Sequence, residues 1–266
     1  MAHLPNAPVK YVLGVVRFPL VPDVDSFAGI VQSAIGKEFR HRRNEKLAQL
    51  NLRIEEKGVE LVQEEVSLWQ FLSEDGHWGV LVNRGMVGFH TNAYVDHADF
   101  LERFLSVIGK VVAAAGDSIQ QIEALALRYL DLVVPVEGDE LGAYFQAGML
   151  PASAEFGGLE AMGGIQIVNF KSELGPLKLT VIRKPETVFP VDLHSPLVIG
   201  NQWSLKTPEN MDFATIDTDH AIIFNPPAEL EDFDFRTKLF SLREPIGDIF
   251  LRITTDHAQA VWKRKA

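Results

Sequence analysis

Two arginines stand inside otherwise apolar runs: Arg17 closes the stretch from Tyr11 to Phe18, and Arg128 sits within Leu125 to Val134 beside Tyr129. A guanidinium placed there needs a partner wherever it is buried. Each arginine can hold an anionic group, with Tyr129 as a second polar anchor. Each can equally bridge to a carboxylate of its own fold or lie on the solvent face of an alternating strand. A second grouping is Asp217, Asp219 and His220. On a strand the two aspartates share a face, because side chains alternate with period two, and carboxylates so placed are the ligands a divalent cation prefers. The same Asp-x-Asp spacing recurs at Asp23 with Asp25 and at Asp232 with Asp234, so spacing alone assigns no ion. The expectation is no metal and no cofactor.

Acidic side chains gather twice, at Glu55, Glu56, Glu60, Glu64 and Glu65 and at Glu229, Glu231, Asp232 and Asp234. Such clusters are either solvated surface or an electrostatic face for a basic partner, whose association they can speed by about 10 to 10³-fold. His41, His77, His90, His97, His194, His220 and His257 are scattered without metal-ligand spacing. The nucleophile elbow, the phosphate loop and the dinucleotide fingerprint are all missing from the sequence. The Gly157-Gly158 and Gly163-Gly164 pairs have no downstream Lys to complete a phosphate cradle. No catalytic residue is therefore assigned.

Composition narrows the classes further. The 266 residues are 47% hydrophobic, enough for a sizeable core in one large domain or two units. Zero cysteines exclude a disulfide framework, a thiolate zinc site and a cysteine nucleophile, and fit a reducing cytoplasm. The first residues lack the basic and apolar regions of an export signal, and no apolar run approaches the length of a membrane span. A net charge of −11 repels phosphate backbones and favours cationic partners, so nucleic acid is disfavoured.

The elements that would position these residues follow from periodicity. Tyr11 to Phe18 reads as a strand; a helix follows, capped by Asp23 or Asp25, with Phe27, Ile30, Val31, Ala34 and Ile35 on one stripe and Gly36 at its end. Extended segments come next at Leu47 to Glu55, Glu60 to Leu72, Trp78 to Asn83 and Met86 to Thr91, then a helix from His97 to Ala115. From Glu123 the plan restarts. A strand closes at Pro135 and a short helix opens at Gly138-Asp139-Glu140 through Leu141, Phe145 and Met149. Extended segments then run at Gly164 to Lys171, Leu177 to Arg183, Leu197 to Leu205 and Phe213 to Phe224. A last helix carries Leu239, Leu242, Ile246, Ile249, Phe250 and Ile253, kinked or begun at Pro245, and continues through Thr255 to Lys265.

The expected fold is α+β: a tail over 1–10 and tandem duplicated units over 11–116 and 123–266, each a strand, a helix, antiparallel strands and a helix, with the helices on one face of a curved sheet. Val16-Arg17-Phe18 parallels Leu127-Arg128-Tyr129 at an offset of about 111 residues. This layout resembles the saddle of TATA-box-binding proteins and the helix-grip proteins, a likeness of topology that carries no function.

Ala126-Leu127-Arg128-Tyr129-Leu130-Asp131, Ile216-Asp217-Thr218-Asp219-His220 and Ile249-Phe250-Leu251-Arg252-Ile253-Thr254-Thr255 resemble a sporadically distributed, uncharacterised bacterial family. Its pattern is an Arg-Tyr-Ile/Leu-Asn/Asp strand and a C-terminal helix ending Phe-x-x-x-Ile-Thr. The chain departs from it at Arg243, where histidine often stands, and at Pro245. The resemblance implies a bacterial cytoplasmic protein, not a mechanism.

These readings lead to a non-enzymatic protein-binding factor, of an immunity or antitoxin kind, whose acidic face meets a basic partner. The alternative is a small-molecule binder or hydrolase with a cavity between helices and sheet, anchored by Arg17, Arg128 or Tyr129.

Overall fold

The computed structural model describes residues 4, 6–55, 58–151, 159, 163–194, 207–208 and 211–264, without the side chains of 47–55, 58–65, 191 and 194. Apolar alternation makes strands β1 (Val9–Arg17), β2 (His41–Glu55), β3 (Gly58–Leu72), β4 (Trp78–Asn83), β5 (Met86–Thr91), β6 (Gln121–Val133), β7 (Gly164–Lys171), β8 (Pro176–Arg183) and β9 (Ala214–Glu229). All nine form one antiparallel sheet in the order β2-β3-β4-β5-β1-β6-β9-β8-β7. Outward from the central β1–β6 pair, one side runs back through β5, β4, β3 and β2, and the other through β9, β8 and β7.

Helices α1 (Val24–Ile35), α2 (His97–Ala115) and α4 (Phe235–Ile253) pack on one face. Asp23 starts α1 by accepting from the Asp25 and Ser26 amides at 2.9 and 3.3 Å. Asp96 starts α2 through the Asp99 amide at 2.8 Å. Their stripes meet Val12, Val16, Phe71, Val80, Phe89, Leu125 and Leu127 in the main core. On the opposite face, Tyr11, Leu13, Leu130 and Leu132 are covered by Val188, Phe189, Phe213 and the four-residue helix α3 (Val191–His194). A third core at one end joins the last helix, α5 (Asp256–Lys263), to β8 and β9. No helix among the described residues is long and apolar enough to cross a membrane.

Several elements differ from the periodicity reading. β2 begins at His41 and β6 at Gln121, both earlier than their apolar runs, because cross-strand hydrogen bonds extend a ladder through polar residues. The helix expected through Leu141, Phe145 and Met149 is a 3₁₀ turn of Leu141–Tyr144 with no side-chain cap, followed by an isolated bridge from Phe145 to Thr254. Pro245 lies well inside α4. The C-terminal helix is not continuous: Thr254 leaves α4 in an extended conformation and Thr255 caps α5 through the Ala258 amide at 3.2 Å. The segment Leu197 to Leu205 lies outside the described residues.

Gly14 lets α2 approach β1 closely, since a Cβ there would stand 2.3 Å from the Phe104 ring of α2. Gly14→Ala should therefore cost about 1–3 kcal/mol in urea unfolding, and that cost should shrink in a Phe104→Leu background, where the ring is gone.

Candidate functional site

β6 is hydrogen-bonded on both edges and covered on both faces, and its alternation divides the Arg128 to Asp131 motif. Arg128 points to the face away from the helices with Leu130. Tyr129 and Asp131 point toward them.

On the far face, Arg128 makes a fork with Asp217 of β9: Nε donates to Oδ1 at 2.8 Å and an Nη to Oδ2 at 2.7 Å. It also donates to Asp192 of α3, once at 3.0 Å and once through a shorter contact. Burial works against the Arg128 charge, but the two carboxylates outweigh it and raise the guanidinium pKa. Asp219, nearby on the same face of β9, has its pKa raised by burial despite the attraction of Arg128. Tyr11 and His90 complete this side, with the hydroxyl 3.3 Å from Nδ1. Burial lowers the His90 pKa to about 3, so the ring is neutral at pH 7. Gly79 makes room for it; a Cβ there would meet Nε2 at 2.3 Å. Arg17 is exposed at the end of β1, and Arg128 is engaged within the fold.

On the helix side, Tyr129 and Asp131 line a cavity of about 140 Å³ bounded by Tyr94, Asp96 and His97 before and at the start of α2, by Arg243, Ile246, Gly247 and Phe250 of α4, and by Val9. The Arg243 guanidinium lies 4.8 Å from the Tyr129 ring centre, and Tyr94 packs edge-on to that ring at 5.6 Å. Phe240 packs edge-on against His97, and Arg236 of α4 donates to Glu102 of α2 at 2.8 Å, tying the cavity walls together. Tyr129 is 2% exposed, and its hydroxyl faces Tyr94 and Arg243 without a hydrogen bond of proper geometry to either. Asp131 is 4% exposed. Burial pushes its pKa up to about 7, with Arg243 pulling down and Asp217 pushing up. Burial and the Arg243 charge also lower the His97 pKa.

The other sequence candidates are placed apart. Asp217 and Asp219 share one face of β9, whereas His220 turns to the helices, where Nδ1 lies 2.9 Å from the Leu242 carbonyl oxygen and Nε2 lies 2.8 Å from the Ser172 hydroxyl. Both ring nitrogens are thus occupied, and no metal-binding group of three acidic or histidine side chains exists among the described residues. Glu229, Glu231, Asp232 and Asp234 are exposed where β9 leads into α4. Within that run Glu229 accepts from Gln121 at 2.7 Å and Asp234 caps α4 through the Thr237 amide at 3.0 Å. Glu64 and Glu65 lie opposite Gln49 and Ala48 in the β2–β3 ladder, with side chains outside the described residues. Sequence reasoning missed Tyr94, Asp131 and Arg243; the signal that could have flagged the last two is a charge within an apolar strand and one on an apolar helix.

No protein-family model matches the chain, and no curated protein matches it.

Two outcomes follow from this geometry. Arg128→Met leaves the buried Asp217 unpaired and should cost about 3–5 kcal/mol. Arg128→Met with Asp217→Leu should recover most of that, and Asp192→Asn, at the exposed end, should cost under about 1 kcal/mol; urea midpoints measure all three. For Asp131, a native pKa of about 7 against an ordinary 3.8 means its contribution is fully present below pH 3.8 and is lost as pH rises to about 7. Asp131→Asn should accordingly match the parent near pH 4 and gain on it by about 1.4 kcal/mol per pH unit up to neutrality, levelling above.

Proposed function

We propose that this protein binds a compact polar molecule in the cavity between α2, α4 and β6. The observation that carries the reading is the Tyr129 hydroxyl, buried and without a hydrogen bond of good geometry on a residue that lines the cavity together with Arg243 and Asp131. A buried polar group in that condition costs about 1–3 kcal/mol, a penalty that a ligand or ordered water removes. A cavity of about 140 Å³ admits only a small ligand. Screening polar metabolites by thermal unfolding tests this. A true ligand at 100 times its dissociation constant adds about 2.7 kcal/mol, and the gain should fall in Tyr129→Phe. A screen in which no compound stabilises the parent, or in which Tyr129→Phe responds equally to all of them, sinks the reading.

A second reading concerns the exposed run Glu229, Glu231 and Asp232, which adjoins the loop after α2 through the Leu230 amide and Gln120 carbonyl at 2.9 Å. With the net charge of −11 it supports an acidic face for a basic protein partner, in the manner of an immunity or antitoxin factor in a bacterial cytoplasm.

The pairing of β1 with β6 also supports a duplicated, saddle-like plan. Val15 pairs with Ala126, and on either side of that pair Arg17 meets Ala124 while Arg128 meets Leu13. The two arginines are thus equally displaced in opposite directions. That relation, and the matching outward strand order, support a duplication relating 11–116 to 123–266, with the helix after the first strand replaced in the second unit by a 3₁₀ turn among the described residues.

A further inference from the structure

We infer that a second cavity, between α2 and the turn from β3 to β4, binds a neutral, flat amino-heterocycle of the nucleobase type, free of phosphate. It shares no lining residue with the cavity at Tyr129, so the inference stands apart from the reading above.

The cavity measures about 670 Å³, the size of a site for a drug-sized molecule. One wall is a stack of flat groups. Trp78 packs on the main core, stacked on Phe89 at 5.5 Å, and carries the Arg103 guanidinium 4.6 Å from its ring centre. Arg103 is fixed there from its own helix, where Nε donates to both oxygens of Asp99, one turn earlier, at 2.9 and 3.0 Å. About half of its side chain stays exposed, at the cavity wall. A guanidinium plane so placed is a surface on which an electron-rich ring stacks.

The rim selects what that ring carries. Glu38, after α1, and Glu74 and Asp75, in the β3–β4 turn, are exposed and line the same space. Glu38 accepts from Lys110, and Glu74 lies 3.4 Å from Arg40. Asp75 has no Lys or Arg partner among the described residues. Its Oδ1 accepts from the Ser73 hydroxyl at 2.5 Å and the His77 amide at 3.0 Å. Those bonds hold its pKa below the ordinary carboxylate value, so it is ionised at neutrality. An ionised carboxylate only accepts, and each has about four lone-pair sites, so a ligand edge that meets this rim has to present N–H donors. An anion finds no free countercharge here, because Arg103, Lys110 and Arg40 each already face a carboxylate and Asp75 repels it. A flat cation would meet Arg103 at the stacking surface. A neutral ring with amino donors meets every condition.

Calorimetric titration of the full chain at pH 7 with adenosine, adenosine monophosphate, purine riboside and benzamidine tests the assignment. Adenosine should bind. Purine riboside, which lacks the amino donor, should bind about tenfold more weakly, the worth of a hydrogen bond to a charged group. The anionic monophosphate and the cationic benzamidine should each be weaker by about tenfold as well. Arg103→Gln, which gives up only an exposed ion pair and so should fold, should weaken adenosine about fivefold. Asp75→Asn should narrow the gap between adenosine and its monophosphate, a change of selectivity that a purely structural role would not produce. Adenosine binding that ignores Arg103→Gln, or that purine riboside, the monophosphate or benzamidine equals, overturns the inference. So does an absence of binding by adenosine, guanosine and cytidine alike. Neither result bears on the Tyr129 cavity, whose own measure is Tyr129→Phe.

Discussion

A strand hydrogen-bonded on both edges and covered on both faces has no solvent in which to place a charge, and β6 nevertheless carries Arg128 and Asp131. The cost of desolvating them organises what surrounds the strand. Arg128 is met by the Asp217 fork from the next strand and by Asp192 from the segment across the far face. Asp131 has no such fork. It is held near neutrality by burial, with the Arg243 charge as its counterweight. One strand therefore supports two different electrostatic arrangements, a forked ion pair on one side and a buried carboxyl at a cavity wall on the other.

The Arg128 group is closed: fork geometry and two carboxylates leave the guanidinium no need of a ligand. The helix-side group lines a cavity instead, with the Tyr129 hydroxyl buried there and without a hydrogen bond of good geometry. Helices α2 and α4 bound the space and meet through the Arg236–Glu102 pair and the Phe240–His97 contact. Gly14 lets Phe104 sit against β1, which seats α2 close on the sheet.

Much of the architecture was legible in local spacing. β4, β5, β7 and α2 run over the residues their patterns mark, and Asp23 caps α1 as its place before the stripe suggests. Ladder extension by polar residues, as at His41 to Lys46, leaves no hydrophobic trace to read. The stretch Leu141 to Met149 has the apolar residues of a helix, but Leu141, Tyr144 and Phe145 are claimed by the core between α4, α5 and β8, and one 3₁₀ turn places them there.

The sequence by itself determined that this is an acidic, cysteine-free α+β chain with an arginine at Arg128 needing an explanation, because composition and periods of two and 3.6 are properties of neighbouring residues. Only the tertiary structure decided that Arg128 belongs to Asp217, 89 residues away, and that Tyr129 and Asp131 turn the other way to meet Arg243. Strand register and helix seating are long-range outcomes of burial. A partner chosen by desolvation across two strands and a helix has no signature in the spacing of either segment alone.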